Sequence, residues 1–145
     1  MDEKIRKEIV TFERHVANTA WRQNWQATQC QKPILNVVNF LTGCIGDIEE
    51  QVEVDFANKN VGFSRSGSQE GLLLGTSPEA CVIVLFNETL EENEAIMITG
   101  ARRYGTYTGY GQTSTFAGAC RINRNWNERR ILAIDAIERP QFDST

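Results

Sequence analysis

Metal-ligating residues are scarce in this sequence. It contains one histidine, His15, and four cysteines, and no two cysteines are close enough to form a paired motif. Structural zinc sites combine cysteine and histidine at short, regular spacings, so the sequence predicts no metal site and no cofactor. We interpret the cysteines as separate reduced thiols, because a disulfide needs two close Cα atoms that spacing alone does not establish. They are Cys30, Cys44, Cys81 and Cys120.

Long apolar runs and an excess of positive charge are also missing. No stretch approaches the roughly 20 apolar residues of a membrane-spanning helix. The net charge of −4 does not favour direct binding to DNA. The first residues are mixed in charge and have no apolar core, which argues against a secretory signal. We therefore expect an intracellular protein without a membrane span; a transit peptide that has already been removed is an open alternative.

The length and composition are those of an ordinary globular domain. The chain has 145 residues, of which 41% are hydrophobic and 23% are charged, and these values favour one soluble domain. A chain of this length can bury roughly 70% of the surface that it exposes when unfolded, which is enough for a sizeable core. No internal repeat or low-complexity tract divides it.

The most informative stretch runs from residue 52 to residue 71. Val52, Val54 and Phe56 alternate with polar or small residues, a period-two pattern that predicts a half-buried strand over residues 51–57. Asn58 and Gly62 then interrupt the pattern, and the glycine-bearing loop leads into a helix. Such loops can hold a phosphorylated ligand, because backbone N–H groups point at the anion and glycine permits close approach. The alternative is that the loop is only a turn.

Helices and strands are also predicted in the rest of the chain. Apolar residues at helical spacing predict a helix over residues 1–15, packed on the domain. A second helix begins at Ser77, Pro78 and Glu79, where a cap is followed by proline and an acid in the first turn. Its apolar composition predicts deep burial to about Leu90. The predicted strands cover residues 34–41, 95–99 and 130–137; Gly100 ends the second of them, and residues 102–115 are predicted to be a loop.

Strands that alternate with a buried helix predict an α/β domain with a partly parallel sheet. Trp21 and Trp25 are four residues apart and would share one face of a helix. We interpret them as packing anchors; stacking on a ligand is the alternative.

Several short motifs resemble the signature of the poly(ADP-ribose) glycohydrolase family, in the same order along the chain. The stretch 54–59 (VDFANK) is followed by a glycine-bearing loop, by Gln69-Glu70 and by Ser77-Pro78-Glu79, as in that family. Residues 93–100 (NEAIMITG), 104–110 (YGTYTGY) and 133–136 (AIDA) match further family motifs. The resemblance covers residues 46–137 and implies a macrodomain-like fold, a mixed sheet flanked by helices. On this basis residues 46–145 form a C-terminally truncated macrodomain, and residues 1–45 form a helical or accessory segment packed on it.

The resemblance also implies a chemistry and a defect in it. The family cleaves the ribose–ribose bonds of poly(ADP-ribose), and glycosidic cleavage needs an acid that protonates the leaving oxygen. In the family that acid is the second glutamate of a Gln-Glu-Glu triplet. Gln69 and Glu70 match its first two members, but the third position is Gly71, which has no side chain. The catalytic carboxylate is therefore expected to be missing, and Glu70 is the remaining candidate for an acid.

The ligand-binding residues that the resemblance implies are partly retained. Asn58 matches the asparagine that contacts the distal ribose in the family, and Tyr107 matches a tyrosine near the adenosine. The candidate ligand-binding residues are Asn58, Gln69, Glu70, Tyr104 and Tyr107. The family's three-glycine run is replaced by Gly62, Phe63 and Ser64 in a shorter loop. The Cβ atoms of these last two residues restrict close approach to a diphosphate.

Three functions are compatible with these residues. The first is a catalytically degenerate relative that acts as a structural or interaction subunit of a larger assembly, with a protein partner covering the exposed sheet edge that a truncated domain would leave. The second is a module that binds ADP-ribose or its polymer without turnover. The third is an active glycohydrolase in which Glu70 replaces the missing acid.

Overall fold

The computed structural model describes residues 9–17, 51–62 and 67–136. Within these residues four strands form one sheet in the order β1-β3-β6-β2, and a separate hairpin consists of β4 and β5. The strands are β1 Thr11–Val16, β2 Val52–Ala57, β3 Glu94–Thr99, β4 Gly105–Thr108, β5 Thr115–Ala119 and β6 Arg130–Asp135. The helices are α1 Gln69–Gly75 and α2 Pro78–Cys81, and short 3-10 helices cover Val82–Leu85, Gly111–Thr113 and Trp126–Glu128.

The sheet is mixed, as the sequence predicts. β2 is parallel to β6, whereas β3 is antiparallel to both of its neighbours, β1 and β6. The predicted strands over 51–57, 95–99 and 130–137 are confirmed, with small differences at their ends. Gly100 ends β3 with a φ of 92°, a backbone conformation that glycine adopts without the penalty of a Cβ.

The two faces of the sheet differ in what they bury. Along β2 the buried side chains are those of Glu53, Asp55 and Ala57, whereas Val52 and Phe56 on the opposite face are exposed. The predicted half-buried strand is confirmed, but its apolar residues do not form the buried half. The reason is that α1 packs against the face that carries the two acids. Both faces of a sheet in an α/β domain are usually apolar, so alternation alone does not identify the inner one.

The helix predicted over residues 1–15 is wrong for its second half. Residues Thr11–Val16 form β1, which pairs with β3 along its whole length. Phe12 contacts Phe86 edge-on, with ring centroids 5.1 Å apart. The 3.6-residue spacing of apolar residues coincides here with a strand because pairing with β3 outweighs the local pattern. Residues 1–8 lie outside the described part of the chain.

The helix predicted from Ser77 begins where expected but is short. α2 ends at Cys81, a 3-10 helix continues to Leu85, and the chain does not remain helical to Leu90. Ile83 is buried, but Val82 and Leu85 are 44% and 79% exposed. The prediction of a deeply buried helix is therefore wrong, because the run is apolar on all sides while only one side contacts the core.

The loop predicted over residues 102–115 is also wrong in part. β4 and β5 pair antiparallel in a hairpin, with Tyr107 opposite Phe116. Gly109 and Gly111 have positive φ and carry the turn between the strands. Threonine and tyrosine favour strands, and this preference is the local signal that the glycine-rich composition obscured.

The core lies between the sheet and the helices. Its buried residues include Val61, Leu73, Leu74, Ala80, Ile83, Leu90, Ile96, Ile98, Ile131 and Ala133. Cys81 and Cys120 are free thiols. Cys30, Cys44, Trp21, Trp25 and the strand predicted over 34–41 lie outside the described residues. Among the helices that are described, none is both long and apolar enough to cross a bilayer.

Candidate functional site

The candidate site begins where the two parallel strands end. In open α/β sheets ligands bind outside the carboxyl ends of parallel strands. The end of β2 is joined to the residue after β6 by a hydrogen bond, in which the Ala136 N–H donates to the Ala57 carbonyl at 2.9 Å. Asn58 follows β2 directly, and the loop from Asn58 leads to α1. The predicted order of strand, glycine-bearing loop and helix is thus confirmed.

Glu70 lies in the first turn of α1 and is 1% exposed. Its Oε1 accepts a hydrogen bond from the Gly62 N–H at 2.5 Å, and its Oε2 accepts a long one from the Asn58 N–H at 3.4 Å. Both carboxylate oxygens therefore contact the backbone of the loop that follows β2. Glu70 holds this loop against α1.

Gln69 fastens the same helix to the outer edge of β2. Its Nε2 donates to the Val54 carbonyl at 2.9 Å, and its Oε1 accepts from the Phe56 N–H at 2.9 Å. These are the backbone groups that a neighbouring strand would use, so the amide side chain takes the place of a strand partner at this point. Unpaired edge groups promote association between chains, and Gln69 satisfies two of them.

Gly71 is the next residue of α1. Its N–H donates to the Ser68 Oγ at 3.1 Å, which makes Ser68 the cap of the helix. A serine cap satisfies one of the N–H groups that the first helical turn leaves without a partner. Residue 71 therefore lies in the first turn of a capped helix and has no side chain.

Asp55 is a part of the site that the sequence interpretation missed. It is fully buried on the inner face of β2, and neither carboxylate oxygen has a hydrogen-bond partner among the described residues. Burial, and secondarily the negative charge of Glu70, raises the pKa of Asp55 to about 7. Its signal in the sequence is a carboxylate inside a strand pattern, immediately before a loop rich in functional residues.

The loop that Glu70 holds is tightly constrained. Asn58 is exposed, and its Oδ1 accepts from the Asn60 N–H at 3.2 Å, so the side chain closes a local turn. Gly62 has a φ of 91°, and a Cβ placed there would lie 2.1 Å from the Val84 Cγ1. Glycine at this position is therefore required both by the backbone conformation and by the packing of Val84.

A cavity of about 190 Å³ lies on the other side of Gln69. It is lined by Glu53, Gln69, Leu73, Thr76, Arg103, Tyr107 and Arg129. Two of the predicted ligand-binding residues, Gln69 and Tyr107, meet here. Asn58 and Glu70 are not among the lining residues, so the structure divides the predicted set into two groups.

Tyr104 belongs to neither group. Its hydroxyl donates to the Glu79 Oε1 at 2.5 Å, and the Arg102 guanidinium lies 5.4 Å from the centre of its ring. The ring is half exposed. Tyr104 is not among the residues that line the cavity, although its N–H donates to the carbonyl of the lining residue Thr76 at 2.8 Å.

The wall of the cavity contains a buried charge cluster. Arg129 donates from Nε and Nη2 to the two carboxylate oxygens of Glu53 at 2.9 and 2.7 Å. Its Nη1 donates to the Ser77 Oγ and to the Ala101 carbonyl. Arg124 lies 3.8 Å from the same Glu53 carboxylate, so two guanidinium groups surround one acid.

Besides Arg129, a second arginine lines the cavity. Arg103 is buried, donates to the Gly105 carbonyl at 3.1 Å, and lies 5.9 Å from the centre of the Tyr107 ring. The cavity thus combines an aromatic face with positive charge. Such a combination suits an aromatic, electron-rich or anionic group.

No three histidine, cysteine, aspartate or glutamate side chains in the described ranges come together as a metal centre. The carboxylates at the end of β2 are instead used as hydrogen-bond acceptors or left without a partner.

Comparisons with known proteins agree with the motifs. The family described as "Poly (ADP-ribose) glycohydrolase (PARG), Macro domain fold" matches residues 22–144. Poly(ADP-ribose) glycohydrolase 1 of Arabidopsis thaliana is 34% identical over 146 residues, which cover 92% of this chain and 26% of that protein. Probable poly(ADP-ribose) glycohydrolase 2 of the same plant is 32% identical over 117 residues, covering 74% of this chain and 22% of that protein.

A shorter match is found in an animal protein. Poly(ADP-ribose) glycohydrolase 2 of Caenorhabditis elegans is 37% identical over 68 residues, which cover 45% of this chain and 14% of that protein. The chain spans about a quarter of the length of the two plant proteins that it matches. Together with the mixed sheet and its flanking helices, the family match confirms the predicted macrodomain-like fold.

Proposed function

Because the chain belongs to the poly(ADP-ribose) glycohydrolase family, we propose that it is a catalytically degenerate member that acts as an interaction subunit of a larger assembly. The observation that carries this proposal is the burial and hydrogen bonding of Glu70. Its carboxylate is 1% exposed, and both oxygens accept hydrogen bonds from the loop backbone. An acid in this position supports the architecture of the loop and is not available to a substrate.

The other acids near the strand end do not replace it. A general acid must come within hydrogen-bond reach of the oxygen that it protonates. Position 71 is glycine, and Asp55 is fully buried beneath α1. A proton donor for the leaving ribose is thus missing from the described residues around the loop.

A turnover assay tests the proposal. The purified chain is incubated with poly(ADP-ribose), and released ADP-ribose is measured by chromatography beside an active member of the family. We expect no release above the buffer control. The variant Gly71→Glu tests the register separately, since a restored carboxylate would give turnover only if the rest of the site were intact. Release of ADP-ribose by the unmodified chain would refute the degenerate assignment.

The second candidate function is binding of ADP-ribose without turnover. It is favoured by the cavity in which Gln69 and Tyr107 meet beside Arg103. Calorimetric titration with ADP-ribose tests it, with Tyr107→Ala as the cavity variant and Tyr110→Ala as the control on the same hairpin. If Tyr107 stacks on the ligand, its loss should weaken binding by about 1–3 kcal/mol, whereas loss of the exposed Tyr110 should have no effect. A flat titration of the folded protein would dismiss this candidate.

A further inference from the structure

The edge of β1 opposite β3 has backbone groups that no described strand pairs with. The Ala17 N–H donates to the Asn93 carbonyl at 2.7 Å, and the Asn93 Nδ2 donates to the Ala17 carbonyl at 3.1 Å. Ala17 therefore faces β3. Because the backbone groups of a strand alternate in direction, those of Phe12, Arg14 and Val16 point away from β3, and no strand in the described ranges pairs with them.

Two cavities lie along this edge. The first, of about 280 Å³, is lined by four apolar residues, Phe12, Ile83, Phe86 and Ile96, and by four polar ones, Glu13, Arg14, Asn87 and Glu88. The second, of about 290 Å³, is formed by residues 15–17 and 92–95. Val16 is 63% exposed and Phe86 is 56% exposed beside them. An exposed edge with partly apolar cavities next to it is an arrangement that can bind an extended peptide as an added strand, with side chains inserted into the cavities.

The surroundings of this edge are acidic. Glu13 and Glu88 line the first cavity, Glu92 lines the second, and all three are exposed, as is Glu91. Arg14 also lines the first cavity, and its charge interacts with Glu88 and Glu91 as well as with Glu94. Its guanidinium donates to the carbonyls of Glu88 and Thr89 at 3.1 and 2.7 Å and forms an ion pair with Glu94.

The Arg14 contacts have a structural consequence. They fix residues 88–94 beside β1, and the hydrogen bond from Arg14 lowers the pKa of Glu94. The positive charge of Arg14 and the negative charge of Glu94 thus offset each other. Of the described residues that line the two cavities, four are glutamates, Glu13, Glu88, Glu92 and Glu94, and one is an arginine, Arg14. The charge of this lining is therefore negative, which favours a basic partner.

Pairing with a second copy of this chain is disfavoured by its own side chains. A symmetric antiparallel pair through the outward backbone groups can be centred on Glu13, Arg14 or His15. The first two centres place identical charges directly opposite each other, which is destabilising. The third leaves only Arg14 and Val16 of the outward-facing residues within the overlap of β1.

We propose that the β1 edge binds an extended segment of a partner protein in which aliphatic residues alternate with lysine or arginine. The segment adds a strand to the sheet through the backbone of Phe12, Arg14 and Val16. Its aliphatic side chains enter the two cavities, and its basic side chains lie near Glu13, Glu88 and Glu92. This partner class deepens the proposed interaction role and rests on it. Peptide binding and polymer turnover are separate measurements, so the two proposals fail independently.

The proposal is tested with a fluorescently labelled peptide of about eight residues, the length of a strand, in which lysine alternates with valine and leucine. Binding to the full chain is followed by anisotropy. We expect saturable binding that weakens as salt is raised, and no binding of the matched peptide in which glutamate replaces lysine. Equal binding of the two peptides, or no binding of either, would overturn the proposal.

The variant Val16→Pro separates edge pairing from simple charge attraction. Proline removes the outward N–H of residue 16 but leaves the bonds between β1 and β3 in place, and proline is tolerated on edge strands. We expect at least a tenfold loss of affinity, equivalent to about one hydrogen bond, with little change in Val16→Ala. A peptide N-methylated on the amides that face β1 should also fail to bind the unmodified chain, which excludes a folding defect as the cause.

Two results would contradict the proposed pairing with a basic segment. Full binding of the N-methylated peptide would show that attraction by the acidic surface is sufficient. A size measurement of the chain alone should show that it does not dimerise through this edge. A dimer that Val16→Pro dissociates would show that the edge binds a second copy and not a basic segment.

Discussion

Glu53 and Asp55 are two residues apart on the same strand, face the same side of the sheet, and are both buried. Their environments are opposite. Glu53 accepts two hydrogen bonds from Arg129 and lies 3.8 Å from Arg124, whereas Asp55 has no hydrogen-bond partner among the described residues and lies near the carboxylate of Glu70. The difference separates a paired carboxylate in the wall of the cavity from an unpaired one near the loop that follows β2.

The comparison of Glu53 with Asp55 indicates where the fold tolerates the free-energy cost of a buried charge. A buried charge is stable when it is paired and hydrogen-bonded, and costly otherwise. At the amino end of β2 the cost is offset by Arg129. At the carboxyl end it is not, and Asp55 responds by retaining its proton to a higher pH. Strongly perturbed acids of this kind cluster at functional sites, although structural networks also produce them.

The largest expected effect comes from breaking the satisfied cluster. Arg129→Met removes the partner of Glu53 and leaves its carboxylate buried beside a single, more distant cation. We expect a loss of about 3–5 kcal/mol in the free energy of unfolding, measured by denaturant titration. The double variant with Glu53→Gln should recover part of this loss, because it removes the uncompensated charge. A loss below about 1 kcal/mol in the single variant would show that the cluster is not important for stability.

A smaller effect is expected at Asp55, and it depends on pH. With its pKa raised to about 7 in the folded state, the folded protein binds a proton that the unfolded chain releases at lower pH. Stability therefore decreases as the pH rises from about 4 towards 7, and the loss is complete above the folded-state pKa. Asp55→Asn should remove this dependence.

Thermal unfolding of the two proteins at several pH values checks this prediction. Asp55→Asn should be more stable than the unmodified chain at pH 8 by on the order of 2 kcal/mol. The advantage should shrink as the pH is lowered. A constant difference in stability across the pH range would mean that Asp55 is ionised throughout and that its pKa is not raised.

The smallest effect on stability is expected in the loop that Glu70 holds. Gly62→Ala places a Cβ at a φ of 91° and 2.1 Å from Val84. It should destabilise the chain by about 1–3 kcal/mol. Gly75→Ala is the matched control, because the space around Gly75 at the end of α1 is open. It should be neutral or stabilising by up to about 1 kcal/mol. Equal effects of the two substitutions would indicate that the loop is not constrained as described.

The sequence predicts β2, β3 and β6, the helix after the glycine-bearing loop and the start of α2, but neither β1 nor the hairpin. β2, β3 and β6 have strong local signals, namely alternation in β2, a short apolar run ended by Gly100 in β3, and a buried run in β6. β1 is missed because its apolar spacing also fits a helix, and only pairing with β3 decides between them. The hairpin of β4 and β5 is hidden by its glycines, which carry the turn.

The candidate site was predicted in composition more than in arrangement. The motifs identify Gln69, Glu70 and the loop after β2, but not that both side chains bind backbone groups. Asp55 is missed because a charged residue in an alternating strand is normally expected on the solvent side. The charge cluster around Arg129 joins residues far apart in the chain, and pairings of this kind leave no local pattern.

The central claim is that Glu70 acts as a structural hydrogen-bond acceptor and not as an acid. Release of ADP-ribose from poly(ADP-ribose), measured side by side for the unmodified chain and for Glu70→Gln across the neutral pH range, tests this directly. We predict that neither protein releases ADP-ribose, while hydrogen exchange at the Gly62 and Asn58 amides becomes faster in the variant because the loop is held less tightly. Turnover by the unmodified chain that Glu70→Gln abolishes, with unchanged exchange at these amides, would contradict the account.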